Sequence, residues 1–245
     1  MIGLLLGWHR PAKGRILLDG KELTCDDLPI WRKRTAWIDP AIQLFNRRFV
    51  QNLLYGSDDG VADLGNAIAE SDLREVLERL PEGLQTIMGE GGALVSGGEG
   101  QRVRLARAWL RRDARLVLLD EPFRGLDRDK RRMLLARARR AWAGSTIVCI
   151  THDVSHTLEF KRVVVVADGR IVEDGDPRAL ACDMGSRYQS MLAAEQFVLE
   201  SLWASPSWRR FRVENGTVSE QARPDWIDLP ALLSEGESPV GLVHD

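Results

Sequence analysis

Apolar residues along this chain follow two rhythms, one of short β-rich runs and one of three- and four-residue steps. The steps are clearest from Phe49 to Leu80, where Leu64, Ile68, Leu73, Val76, Leu77 and Leu80 recur as a buried helical face requires. Pro81 and Gly83 end that run. Residues 97–112 and 127–142 predict two further helices, the second strongly basic. Residues 115–119 read as a buried central strand, and residues 145–150 as a β-branched strand after the Ala143-Gly144 break. Residues 34–38 predict a strand that stops at Asp39-Pro40, and residues 14–20 a strand closed by an Asp-Gly turn. Residues 163–167 and 170–172 flank Asp168-Gly169, a hairpin signal. Strands alternating with helices indicate an α/β fold with a mostly parallel sheet covered by helices. A helical stretch over 186–203 leads into a tail rich in Pro, Ser and Glu. There, residues 212–218 could form a small hairpin and residues 234–245 are expected to be mobile.

Composition narrows the class without naming it. The hydrophobic share of 44% and charged share of 29% over 245 residues suit a globular protein with a real core. A net charge of -2 argues against a general nucleic-acid binder. The basic residues of 127–142 lie without interleaved aromatics, which reads as a solvated helix face. Residues 1–8 are apolar but far short of a membrane span, with no basic leader or cleavage site. Cys25, Cys149 and Cys182 are few, odd in number and widely spaced, which fits a reducing cytosol.

The chemistry concentrates between residues 94 and 153. Ser96-Gly97-Gly98 opens a helix, where unspent N–H groups and the positive end of the helix dipole favour an anion. Glycines admit close backbone approach, and Ser96 adds a hydroxyl donor. One helix length later, Leu116-Val117-Leu118-Leu119 ends in Asp120-Glu121. A strand apolar on both faces is buried, so its terminal carboxylates project at the carboxyl edge of the sheet, where α/β ligands bind. Gly125-Leu126-Asp127 follows, and Thr151-His152-Asp153 comes directly after the next strand. Taken singly, these are a capped helix, a strand end, an N-cap aspartate and a structural histidine.

Their order resembles the signature motif, Walker B strand, D-loop and switch histidine of the ATP-binding cassette (ABC) nucleotide-binding domain, over residues 1 to about 180. The resemblance implies a P-loop NTPase-like α/β fold with a helical subdomain at about 47–112, and ATP and Mg²⁺ as ligands. It implies that Ser96, Gly97, Gly98 and Glu99 meet the γ-phosphate of ATP held by a second such domain, and that Asp127 lies at the interface between the two. Asp120 would hold Mg²⁺ through water, Glu121 would act as general base toward the attacking water, and His152 would donate to the γ-phosphate. Val95 and Glu99 depart from the common Leu-Ser-Gly-Gly-Gln form, and Phe123-Arg124 replaces a small Thr-Ser pair. The glutamine expected after the Asp39 strand falls on Pro40, with Gln43 nearby but out of phase.

Leu44-Phe45, residues 52–56, Leu80-Pro81-Glu82-Gly83 and residues 86–90 resemble exporter-type domains, in which the last segment touches the membrane domains. No Gly-x-x-x-x-Gly-Lys-Ser/Thr occurs, and Gly20-Lys21 is followed by Glu22. Residues 1–11 look like the end of the helix that such a loop begins. The expectation is therefore an N-terminally truncated domain at 1–182, with open sheet edges and an exposed apolar patch, and a C-terminal extension at 183–245. Alone, this polypeptide is expected to bind ATP weakly and hydrolyse almost none. Three readings stay open: part of an exporter ATPase, a degenerate subunit lending its signature turn to a partner's site, or a soluble regulatory ABC protein. The first implies transmembrane-domain partners, a homo- or heterodimeric second domain, no nucleic acid, and a cytoplasmic position at the inner face of the membrane.

Overall fold

The structure is a computed structural model that describes residues 2–39, 44–57, 61, 63–203, 211–214 and 217–220. The expectations for Pro40, Gln43 and residues 234–245 fall outside the described residues. Contacts part the chain into two compact units, Met1–His152 and Asp153–Asp245.

The first unit is organised on three parallel strands, β3 (Thr35–Ile38), β4 (Leu116–Asp120) and β5 (Thr146–Ile150), with β4 in the middle. Trp37, Leu118 and Val148 stand side by side in register. Flanked on both sides, β4 buries Leu116 to Leu119, as its unbroken apolar run requires. Residues of β5 from Ile147 onward are only half-buried, because β5 is an outer strand of this sheet. Before the sheet come α1 (Ile2–Leu5), a hairpin of β1 (Leu17–Leu18) and β2 (Lys21–Glu22), and α2 (Leu28–Lys33). Leu6 packs with Leu116 and Leu118, joined by Ile2, Leu5, Trp31 and Trp37. The end of α1 is tied to α2, where Trp31 Nε1 donates to Leu5 O at 3.0 Å and Arg32 Nε to Leu6 O at 2.9 Å.

Between β3 and β4 lies a helical region of α3 (Phe49–Leu53), α4 (Leu64–Glu70), α5 (Arg74–Arg79) and α6 (Gly97–Trp109). The apolar stripe read from the sequence is its core: Ile68, Leu73, Val76 and Leu80 pack with Phe49, Leu53, Met88 and Val103. The helical run of 49–80 is, however, three helices. Between α4 and α5, Asp72 takes a φ of 56°, a left-handed conformation open to Asp and incompatible with a continuing helix. Arg102 of α6 donates to Asp72 O and, at 2.6 Å, to Asp72 Oδ2, which fixes that break against the longer helix. After β4, α7 (Arg128–Ala141) leads to β5, and its C-cap Trp142 stacks on Trp109 of α6 with centroids 5.4 Å apart.

The second unit holds a 3-10 turn (Val154–Glu159), a hairpin of β6 (Val163–Ala167) and β7 (Arg170–Gly175), α8 (Pro177–Cys182), α9 (Arg187–Trp203) and a hairpin of β8 (Phe211–Glu214) and β9 (Thr217–Glu220). Asp168 and Gly169 both have positive φ, the I′-type geometry for which Asp-Gly is the favoured pair. Val163 and Val165 face a core of Val154, Ala181, Tyr188 and Leu192, while Val164, Val166 and Ile171 lie exposed on the other face of the hairpin. Glu173 caps α9 from the hairpin, accepting from Arg187 N, Tyr188 N and Ser186 Oγ at 2.5, 2.9 and 3.1 Å. The N–H groups of Arg187 and Tyr188 hold its carboxyl below the usual glutamate range. None of the three cysteines forms a disulfide, and among the described residues no helix is long and apolar enough to cross a membrane.

Candidate nucleotide site

The start of α6 is a capping box. Ser96 has extended backbone, its Oγ accepts from Glu99 N at 3.3 Å, and Glu99 Oε2 accepts from Ser96 N at 2.9 Å. Because the Ser96 oxygen is the acceptor there, the hydroxyl hydrogen remains for another ligand. Gly97 and Gly98 form the first turn. The backbone of Gly98 lies so close to the segment after β4 that a Cβ on it would come 2.8 Å from Gly125 O. Asp127, two residues on, caps α7 by accepting from Lys130 N at 2.8 Å. The Ser-Gly-Gly turn and the Gly-Leu-Asp segment, distant in sequence, are thus in backbone contact.

Asp120 and Glu121 stand at the carboxyl end of β4, as the burial of that strand dictates. Burial raises the Asp120 carboxyl above the usual aspartate range, with the neighbouring charges of Asp39 and Glu121 adding to the effect. Asp39 follows the last registered pair of β3 and β4, Ile38 with Leu119, which brings it beside Asp120. Glu121 has a φ of 43°, rare for a residue with a side chain. Its N–H donates to Ile150 O at 2.9 Å and its carbonyl accepts from Gln101 Nε2 at 3.2 Å. These two bonds turn its side chain toward His152: Glu121 Oε1 accepts from His152 N at 3.0 Å and lies 2.7 Å from His152 Nδ1. The imidazole is 73% exposed and the carboxylate 24%, so the pair opens to solvent on the histidine side.

Glutamate 121 and His152 are therefore brought together, as are the Ser96 turn and the segment ending at Asp127. The side chain of Glu99 is spent on the capping box and on an ion pair with Arg79 at the end of α5. Sequence reasoning gave no role to Arg79, Gln101 or Asp39. Gln101 sits one turn beyond Gly97 on α6, and its amide is buried by the assembled fold. For Arg79 and Asp39 the sequence offered no local cue, since both act across long separations.

A second cluster flanks the helical region. Asn52, fully buried, exchanges hydrogen bonds with the backbone of Phe45, its Oδ1 accepting at 2.9 Å and its Nδ2 donating at 3.0 Å. Arg107 of α6 donates to Asn52 O and Oδ1 at 2.6 and 2.7 Å and lies under the Phe45 and Tyr55 rings. Burial lowers its pKa to about 10, with Arg104 adding repulsion. Phe45 and Tyr55 keep exposed ring surface, and Ile87, bridged to Arg48, is 61% exposed.

A parallel sheet with an acidic carboxyl edge, joined to a glycine-rich helix start, is the layout of an α/β nucleotide-binding domain. The ABC transporter family matches residues 1–124. The chain belongs to the ABC transporter family. It is 34% identical to the ATP-dependent lipid A-core flippase of Chromobacterium violaceum over 74% of this chain and 31% of that protein. It is 29% identical to the ABC-type transporter fsqE of Aspergillus fumigatus, over 100% of this chain and 20% of the relative. A solved bacterial Atm1-family ABC exporter with ATP bound superposes with a TM-score of 0.72 at 30% identity, over 79% of this chain and 34% of that one. The chain thus spans about a third or less of these relatives, and the family carries ATP binding with it.

Proposed function

We propose that this chain is the ATP-binding domain of an exporter and couples ATP hydrolysis, at an interface between two such domains, to movement of a substrate through transmembrane domains. The observation that carries the reading is the Glu121–His152 pair beside Asp120 at the end of the most buried strand. In that chemistry Glu121 takes the proton of a water attacking the γ-phosphate, and His152, already held on the same carboxylate, donates to the phosphate. Ser96 and the first-turn N–H groups of α6 would meet the γ-phosphate of ATP bound by the facing domain. The residues fit Mg²⁺: the carboxyl of Asp120 is raised by burial, Asp39 and Glu121, and a cation would relieve that repulsion. Among the described residues no group of three or more His, Cys, Asp or Glu side chains is placed to hold a metal ion, so the carboxylates of Asp120 and its neighbours would supply only part of the ligand set of Mg²⁺. Bound there, Mg²⁺ would supply charge neutralisation of the phosphates.

The partly exposed Phe45–Tyr55 ring pair, with centroids 4.7 Å apart, supports membrane-domain partners rather than a soluble regulatory role, since contiguous exposed apolar surface marks interaction sites. The position follows as cytoplasmic and peripheral at the inner face of the membrane. The test is to purify the tagged full-length protein from membranes in mild detergent. Recovery with a polytopic membrane protein is expected, and recovery from the soluble fraction alone would overturn the exporter reading. In the assembled transporter, Gly98→Ala is expected to lower ATP turnover by roughly 10- to 10²-fold, because a Cβ 2.8 Å from Gly125 O pushes that backbone aside by several tenths of an ångström. Turnover within twofold of the parent would show that this backbone contact does not shape the site.

A further inference from the structure

Glu99 places a carboxylate in the first turn of α6, at the position where the common motif has an amide. A negative charge there favours the helix itself but opposes an anion arriving at the same N–H groups. The structure shows how that charge is handled. Glu99 Oε2 is held by Ser96 N at 2.9 Å, and Glu99 Oε1 by the Nη2 of Arg79. The side chain of Glu99 is 14% exposed and that of Arg79 is 65% exposed, so the arginine closes over the carboxylate from the solvent side. Burial pushes the Glu99 carboxyl up, but the Ser96 N–H and the Arg79 guanidinium outweigh it and hold the group ionised below the usual glutamate range. Arg79 is the last residue of α5, and its Nε also donates to Glu75 O one turn back at 3.4 Å, which ties the guanidinium to its own helix.

We propose that Arg79 is a positioning residue of the phosphate-facing turn, cancelling the Glu99 charge and pinning its carboxylate in the cap so that Ser96 and the first-turn N–H groups can receive the terminal phosphate of ATP. This rests on the reading of the Ser96 turn given above. Arg79 lies outside the motif, and its ion pair accommodates a glutamate at that position. With Arg79 removed, an uncompensated negative charge stays beside the anion site. With Glu99 made neutral, Arg79 has nothing to compensate.

The experiment is steady-state ATP hydrolysis by the assembled transporter as a function of ATP concentration. R79A is expected to raise KM for ATP by about three- to tenfold, with a smaller change in kcat. R79K, which keeps the charge, is expected to stay near the parent. In the E99Q background the R79A effect is expected to fall below twofold. An equal effect in both backgrounds, or no shift in KM at all, overturns the inference. Should R79A fail to fold by thermal melting, R79Q, which keeps most of the stem, is expected to give the same shift and the same dependence on Glu99. S96A separates the two levels: if it leaves KM and kcat unchanged, the phosphate-facing reading of the turn fails. If S96A acts and R79A does not, the inference alone fails.

Discussion

Glu121→Gln in the assembled transporter is expected to cut ATP turnover by about 10²- to 10⁴-fold, the usual contribution of a positioned general base. The geometry makes this a clean substitution. The backbone of Glu121 is held at a φ of 43° by its own bond to Ile150 O and by Gln101, neither of which involves the side chain. A glutamine of the same shape can keep the hydrogen bond from His152 N through its amide oxygen. It cannot take a proton from water. The fold and the contact to β5 are therefore expected to survive while the chemical step does not, and ATP-dependent association of two domains should persist. Single-turnover hydrolysis measured beside a thermal melt checks both halves. Turnover close to that of the parent would move the base to another residue.

How much of this was legible in the sequence depends on how local each cause is. The β4 strand and the two helices around it were readable, because an unbroken apolar run, a Ser-Gly-Gly start and an N-cap aspartate are properties of neighbouring residues. The Asp168-Gly169 turn was readable as a hairpin for the same reason, whereas Asp19-Gly20 predicted only the close of one strand over 14–20 and instead joins the short pair β1 and β2. The break at Asp72 was not, although Ile68, Leu73, Val76 and Leu80 were correctly placed in a core. A left-handed aspartate leaves no trace in hydrophobic spacing, and its partner Arg102 lies thirty positions away. At the candidate site, Ser96, Asp120, Glu121, Asp127 and His152 stood out because their types and order are unusual together. Asp39, Gln101 and Arg79 did not. Their placement comes from strand register, from a buried helix face and from the end of another helix, which only the assembled fold provides. The basic helix α7 shows the same limit: Arg137 looked like one solvated charge among many, yet it donates to Ala69 O and Glu70 O and closes the end of α4.

Trp142→Ala is expected to destabilise the first unit by about 3–5 kcal/mol, the range for removing a large buried aromatic side chain. Trp142 is 1% exposed, stacks on Trp109 of α6 at an interplanar angle of 28°, and donates from Nε1 to Arg111 O at 3.3 Å. The substitution therefore removes apolar burial, an aromatic pair worth about 0.5–1.5 kcal/mol in itself, and one hydrogen bond that satisfies a carbonyl beyond the end of α6. Against a total stability of about 5–15 kcal/mol for a domain, that loss is a large fraction. Trp142→Phe keeps a ring against Trp109 and loses only the indole N–H and some volume, so it should recover most of the deficit. Urea unfolding followed by circular dichroism reads both as shifts in midpoint, and an unchanged midpoint for the alanine variant would show that the Trp pair does not hold α6 and α7 together. The consequence reaches the site as well. The helix that Trp142 anchors at one end begins at the other with the Asp127 cap, next to the Gly125 carbonyl that abuts Gly98. A variant folded at low temperature but loosened at Trp142 should then lose the Gly98–Gly125 contact before it unfolds, and in the assembled transporter its ATP turnover should fall at temperatures where its circular dichroism is still that of the parent.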